Sequence, residues 1–232
     1  MEISIGRSLL EANDREAEEL RQVFAANGLL VLNLISSPGA GKTSLLEKTL
    51  TALGGEFRFG VIEGDLQTDN DARRVEKSGA KAVQINTHGG CHLDSGMIRE
   101  VIGRFNLDEL DILFIENVGN LVCPVEFDLG EDCKIALLSV TEGDDKPEKY
   151  PRLFHLAEVL LLNKIDILPY VDFDLERAAG FARAARRDLK ILPVSCRGEG
   201  HGLEAWYDWL RQARAAKKTL GKTTTNHRGV ER

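Results

Sequence analysis

The chain has 232 residues, 43% of them hydrophobic, and a formal net charge of -7. That length suits one substantial core better than two, and the interspersed acidic charge opposes broad attraction to nucleic acid or anionic membrane. No stretch approaches the roughly 18 apolar residues of a membrane span, and the acidic N-terminus does not read as a secretion signal, so a cytoplasmic location without membrane insertion is expected.

Ile5, Leu9, Ala12, Leu20, Val23 and Phe24 recur at helical spacing to about Ala26, with Gly28 as the stop. "LLVLNLI" (Leu29–Ile35) then reads as a buried strand, and the segment Ser44–Leu53 as a helix ended by Gly54-Gly55. "FRFGVIEGD" and "AKAVQI" give a second and a third strand, and Leu93–Phe105 has helical spacing. "LDILFIENVG", "CKIALLSVTEG" and "AEVLLLNKIDIL" are further strands running into polar residues. A helix around Phe173–Arg187, the short strand "KILPVS" and a helix from Leu203 to Ala215 follow. Apolar strands alternating with helices call for an α/β fold, a mainly parallel sheet covered by helices on both faces. A single domain over 1–218 is expected, with a flexible tail over 219–232.

"SSPGAGKTSL" sits between the first strand and a helix, the context of a phosphate-binding loop. Gly39 and Gly41 let amides of the stretch Ser37, Pro38, Gly39, Ala40, Gly41 converge on phosphate oxygens, with Ser44 continuing into the helix. Lys42 supplies positive charge, and Thr43 a hydroxyl for magnesium. Ser36 stands where the pattern has its first glycine. The loop is polar and is expected to face the surface.

"NKID" at a strand end selects guanine over adenine: the Asp166 carboxylate can accept N1–H and the exocyclic amine, the Lys164 stem can cover the base, and Asn163 braces the loop. "PVSCRGEG" brings Ser195 and Cys196 to a second strand end suited to base contact. Asp65 follows the second strand, with Asp69 and Asp71 behind it, and Glu116 ends the strand that leads to Gly119. Glu116 is expected to hold magnesium directly or through water. Asp65 either binds magnesium or orients the attacking water. No glutamine or arginine stands out as a water-positioning group, so slow intrinsic turnover is expected.

The cysteines number four, too few for a secreted scaffold at this length. Cys91, His92 and Cys123 combine two thiolates and an imidazole, donors suited to nickel or zinc. Cys133 reads as a small core hydrophobe, and Cys196 as packing or backbone placement. Three ligands per chain leave a metal shell short, which symmetric pairing of two chains would complete.

Together these motifs, with "VIEGDLQTDND", "GGCHLD", "IENVGNLVCPVEFDLGE" and "TEGDDKPEKYP", resemble the HypB family, the nickel-incorporation GTPases of nickel–iron hydrogenase maturation. The likeness runs from about Ser4 to Leu210. It implies a P-loop fold of the signal-recognition and MinD-like class, GTP/GDP with magnesium, and nickel or zinc at Cys91, His92 and Cys123. It also implies a GTP-favoured homodimer, a HypA-like metallochaperone and the hydrogenase large-subunit precursor as partners. Some members carry an N-terminal Cys-x-x-Cys-Gly-Cys motif or His-rich tract. Here no cysteine or histidine precedes His88, so nickel traffic is expected to rest on the GTPase domain. The alternatives are a urease-type nickel GTPase, which uses a Cys-Pro-His motif, and a GTP-gated scaffold with structural zinc.

Overall fold

The computed structural model describes residues 5–65, 75 and 78–226. Its strands are β1 (Leu30–Ser36), β2 (Phe59–Asp65), β3 (Lys81–Asn86), β4 (Ile112–Glu116), β5 (Cys133–Ser139), β6 (Ala157–Asn163) and β7 (Lys190–Pro193). Every pairing among them is parallel, and the sheet order is β3-β2-β4-β1-β5-β6-β7. The chain winds outward from β1 in both directions. The strand order therefore reverses beside β1, and the crevice at its carboxyl end is where such sheets take ligands.

The described helices are α1 (Ile5–Ala26), α2 (Lys42–Leu53), α3 (Ser95–Ile102), α4 (Cys123–Glu126), α5 (Lys146–Lys149), α6 (Pro151–Leu156), α7 (Leu175–Ala185) and α8 (Leu203–Asn226). Residues of β1 show why the strand runs are apolar without alternation. Leu30, Leu32 and Leu34 pack with Leu45 and Leu46 of α2 and Trp206 of α8. Val31, one residue out of phase, packs with Leu20 and Phe24 of α1 on the other face. Successive side chains of a strand point to opposite faces, so a strand covered on both sides is apolar at every position. A third cluster joins β5 and β6 to α6 and α7. Among the described residues no helix is long and apolar enough to cross a membrane.

Several boundaries differ from the sequence expectation by a few residues, and two of the differences stand out. The run from Ala157 leaves the sheet at Asn163, because Lys164 takes a left-handed conformation (φ 64°) and Ile165–Tyr170 coils into a 3-10 turn. The last helix runs to Asn226, beyond its apolar stripe and into the stretch expected to be a tail. Arg214, inside the expected helix, reaches Asp111 at 2.9 Å, and Lys217, just past it, reaches Asp132 at 2.5 Å. Residues 227–232 of that stretch lie outside the described residues.

Candidate functional site

The loop between β1 and α2 encloses one end of a cavity of about 500 Å³, which Lys42, Thr43, Ser44, Glu116, Gly119 and Lys164 help to line. The loop faces the surface as expected at Pro38 and Gly39, but Lys42 and Thr43 are buried, each only 8% exposed. The Lys42 Nζ donates to Ser36 Oγ at 3.0 Å. Ser36, the departure from the glycine pattern, thus accepts a hydrogen bond from the loop's own lysine. Pro38 and Gly39 also line the cavity, whereas Ala40 is buried and presents its carbonyl to Asn163, and the Ser37 carbonyl accepts from Ala40 N.

Gly41 has φ 105°, and a Cβ there would lie 2.5 Å from Asn163 Nδ2. Only glycine fits both the conformation and the gap. Gly41→Ala should therefore weaken GDP binding about tenfold or more, the cost of backbone strain of that kind. Titration with a fluorescent GDP analogue checks this, and wild-type affinity would refute it.

A second cavity, of about 290 Å³, shares Gly41, Ser44 and Lys164 with the first. Asp166, Ser195, Cys196 and Arg197 line it. Asn163 Nδ2 donates to Ala40 O at 2.8 Å and Lys164 Nζ to Gly39 O at 2.7 Å, which ties this corner to the phosphate loop. Ser195 Oγ donates to Asp166 Oδ1 at 2.5 Å and so orients the carboxylate. Burial pushes the Cys196 thiol up to about 11, which suits a packing role in the wall. Cys133 packs against the core, and burial raises its pKa as well.

Glu116 ends β4, and its Oε1 accepts from Thr43 Oγ1 at 3.0 Å. A hydroxyl and a carboxylate, both buried at the first cavity, are the hard oxygen donors that magnesium takes, so the residues fit that ion. Register pairs Glu116 with Glu63 of β2, a residue only 2% exposed that lines the same cavity. Sequence reasoning missed Glu63. Its signal was a carboxylate inside an apolar strand two residues before Asp65. The backbone of Asp65 closes β2, but its side chain lies outside the described part of the structure, as do Asp69 and Asp71.

Cys91, His92 and Cys123 come together with their ligand atoms within 4.8 Å of one another. The first two follow β3, and Cys123 opens α4 just past β4. The His92 ring stacks on Phe127 with centroids 3.8 Å apart, which fixes its plane, and Cys91 Sγ lies 3.5 Å from His92 Nδ1. Burial lowers the His92 pKa, against the opposing pull of Asp94, and favours the neutral imidazole that binds metals. The Cys91 thiol is pushed up, first by its hydrogen bond with Cys123 and then by burial.

Residues 30–193 match the family model described as the CobW/HypB/UreG nucleotide-binding domain. The hydrogenase maturation factor HypB of Azotobacter vinelandii is 51% identical over 93% of this chain and 71% of its own length. The chain belongs to the HypB family. The Escherichia coli K12 HypB is 52% identical over 90% of the chain and 71% of its own length.

Two solved HypB structures share the fold. That of Archaeoglobus fulgidus has a TM-score of 0.82 and 39% identity, covering 88% of this chain and 99% of its own. That of Helicobacter pylori, in complex with nickel, has a TM-score of 0.83 and 38% identity, covering 88% and 96%. The signal recognition particle receptor FtsY of Elizabethkingia anophelis, at 14% identity and a TM-score of 0.51 over 82% of this chain and 67% of its own, shows likeness of fold alone. The signal-recognition class of P-loop fold expected from the resemblance is therefore the one observed.

Proposed function

We propose that the chain is a slow GTPase that delivers nickel to a hydrogenase precursor under nucleotide control. The observation that carries this reading is that β4 leads from one site to the other. Glu116 bonds to Thr43 in the phosphate cavity, and Cys123, seven residues on, joins Cys91 and His92. Lys42 and the loop amides would bind the phosphates of GTP, while Asp166 and the Lys164 stem would take the guanine base. Thr43 and Glu116, with Asp65 as a candidate third oxygen donor, would hold magnesium, which supplies charge neutralisation at the β- and γ-phosphates. Nickel is cargo in this reading, held by soft thiolates and an imidazole that also accept zinc.

The nickel complex of the Helicobacter pylori relative and the hydrogenase maturation role in the names of the curated relatives support nickel as the physiological metal. Three donors leave a metal shell incomplete, so a GTP-favoured homodimer is part of the reading. The remaining parts are a HypA-like metallochaperone as donor, the hydrogenase large-subunit precursor as recipient, and a reducing cytoplasm that keeps the thiols free.

Guanine selectivity is the direct test of the nucleotide assignment. Asp166→Asn turns an acceptor into an amide with a donor face, so it should weaken GTP and favour xanthine, whose 2-oxo group accepts. Each bond to a charged group is worth about 1.5–3 kcal/mol, which predicts GTP binding ~10–100-fold weaker. Competition of GTP, XTP and ATP for the unmodified protein and the variant measures this. Equal ATP and GTP affinities in the unmodified protein would sink the assignment.

A further inference from the structure

Asn33 interrupts the apolar run of β1 and is fully buried. Its partners explain its presence. Asn33 Nδ2 donates to Glu131 Oε1 at 3.1 Å, and its Oδ1 accepts from Asn117 Nδ2 at 3.2 Å. Asn117 directly follows Glu116 and is 1% exposed. Its Oδ1 accepts from Val118 N at 3.0 Å and from Leu93 N at 3.2 Å. Leu93 directly follows His92. One buried amide thus joins the exit of β4, the centre of the sheet and the backbone that carries the imidazole.

The same exit segment holds the third ligand by a second bond. Asn120 Oδ1 accepts from Val122 N at 2.8 Å and from Cys123 N at 3.4 Å. Between the two asparagines, Gly119 lies so close to the phosphate loop that a Cβ would meet Pro38 at 2.9 Å. A displacement of this segment, set by what the phosphate loop and Glu116 hold, must therefore carry Leu93 and Cys123 along or break these bonds. For Asn117 the second course is costly, because water does not reach a residue buried to that degree.

We propose that Asn117 and Asn120 are positioning residues that couple the two sites, transmitting nucleotide state to the geometry of Cys91, His92 and Cys123. This rests on the nucleotide-controlled nickel reading above and names the contacts through which that control acts. The two segments that carry His92 and Cys123 have a separate anchor, which lines neither cavity. Asn13 of α1 accepts from Ser95 N at 2.9 Å and donates to Asp128 O at 2.9 Å. Positioning and coupling are therefore separable. Loss of the anchor shifts metal affinity in both nucleotide states, whereas loss of the link changes the ratio between them.

The experiment is isothermal titration of Ni2+ into full-chain protein saturated with GDP or with a non-hydrolysable GTP analogue. The wild-type chain, Asn117→Ala, Asn120→Ala and Asn13→Ala are compared, each first checked for a cooperative thermal melt. The wild-type affinities should differ by about tenfold, a typical coupling between sites. Asn117→Ala and Asn120→Ala should bring that ratio to within about twofold, while Asn13→Ala should keep it and weaken both affinities. Equal wild-type affinities defeat the nucleotide-controlled reading itself. A wild-type ratio retained in Asn117→Ala and Asn120→Ala overturns the link and leaves that reading standing. A ratio lost equally in Asn13→Ala reduces the asparagines to general supports of the fold and also overturns the link. Asn120 is partly exposed, so its variant decides the matter if Asn117→Ala does not melt cooperatively.

Discussion

Lys42→Ala should lose almost all GTP hydrolysis and remain folded. Phosphoryl transfer to water asks the protein for little covalent chemistry. It asks for positive charge and hydrogen-bond donors where negative charge develops. Lys42 brings its ammonium to the wall of the phosphate cavity, 3.0 Å from Ser36 Oγ and on the first turn of α2. Removing one such preorganised donor costs on the order of 10²–10³-fold in rate in other enzymes. Alanine is the best helix former, and the position opens a helix rather than filling a core, so the melting curve should move little. The measurement is phosphate release at saturating GTP and magnesium, alongside the thermal melt. Unchanged turnover would remove Lys42 and the loop from the proposed chemistry, and a collapse of the melt would mean the lysine serves the fold.

The loop between β1 and α2 was legible because its signals are local. Glycines, lysine and threonine at fixed spacing after an apolar run mark the strand end, the turn and the helix start that the structure has. The strands were legible for a different reason: β1, β4, β5 and β6 are covered on both faces, so each is a nearly unbroken apolar run. What escaped is what depends on pairing between distant segments. Glu63 and Glu116 are separated in sequence and become neighbours only because β4 inserts between β2 and β1. Asn33 was in plain view within "LLVLNLI", but its reason lies at Asn117 and Glu131. Helices α4, α5 and α6 were missed because four to six residues are too few to show a period. The extension of α8 was missed because the stretch after Ala215 carries no apolar stripe to mark it.

The cysteines fall between these cases. Their chemistry could be read from residue type, but their proximity depends on how the loops after β3 and β4 meet over the sheet. A Cys91→Ala, Cys123→Ala double variant should lose nickel binding and keep its guanine site. Loss of a single outer partner of a ligand already costs about 10–100-fold in metal affinity, so removal of two ligand sulfurs should exceed that. Cys91 is exposed and Cys123 only partly buried, so neither deletion opens a core cavity. His92 keeps its stack on Phe127 in the variant and remains as a lone imidazole. The coupling must also run in reverse. If GTP changes nickel affinity, nickel changes the affinity for a non-hydrolysable GTP analogue by the same factor, and the double variant should show no such change. Because three donors in one chain leave the metal shell short, nickel and GTP together should also raise the mass from monomer to dimer, and the variant should respond to GTP alone. The decisive measurements are nickel titration, analogue titration with and without nickel, and mass in each state. Wild-type nickel affinity in the double variant would place the metal elsewhere on the chain. Nickel loss with an intact nickel effect on the analogue would break the link between the cysteines and the nucleotide, because a site that binds no metal cannot report metal to its neighbour.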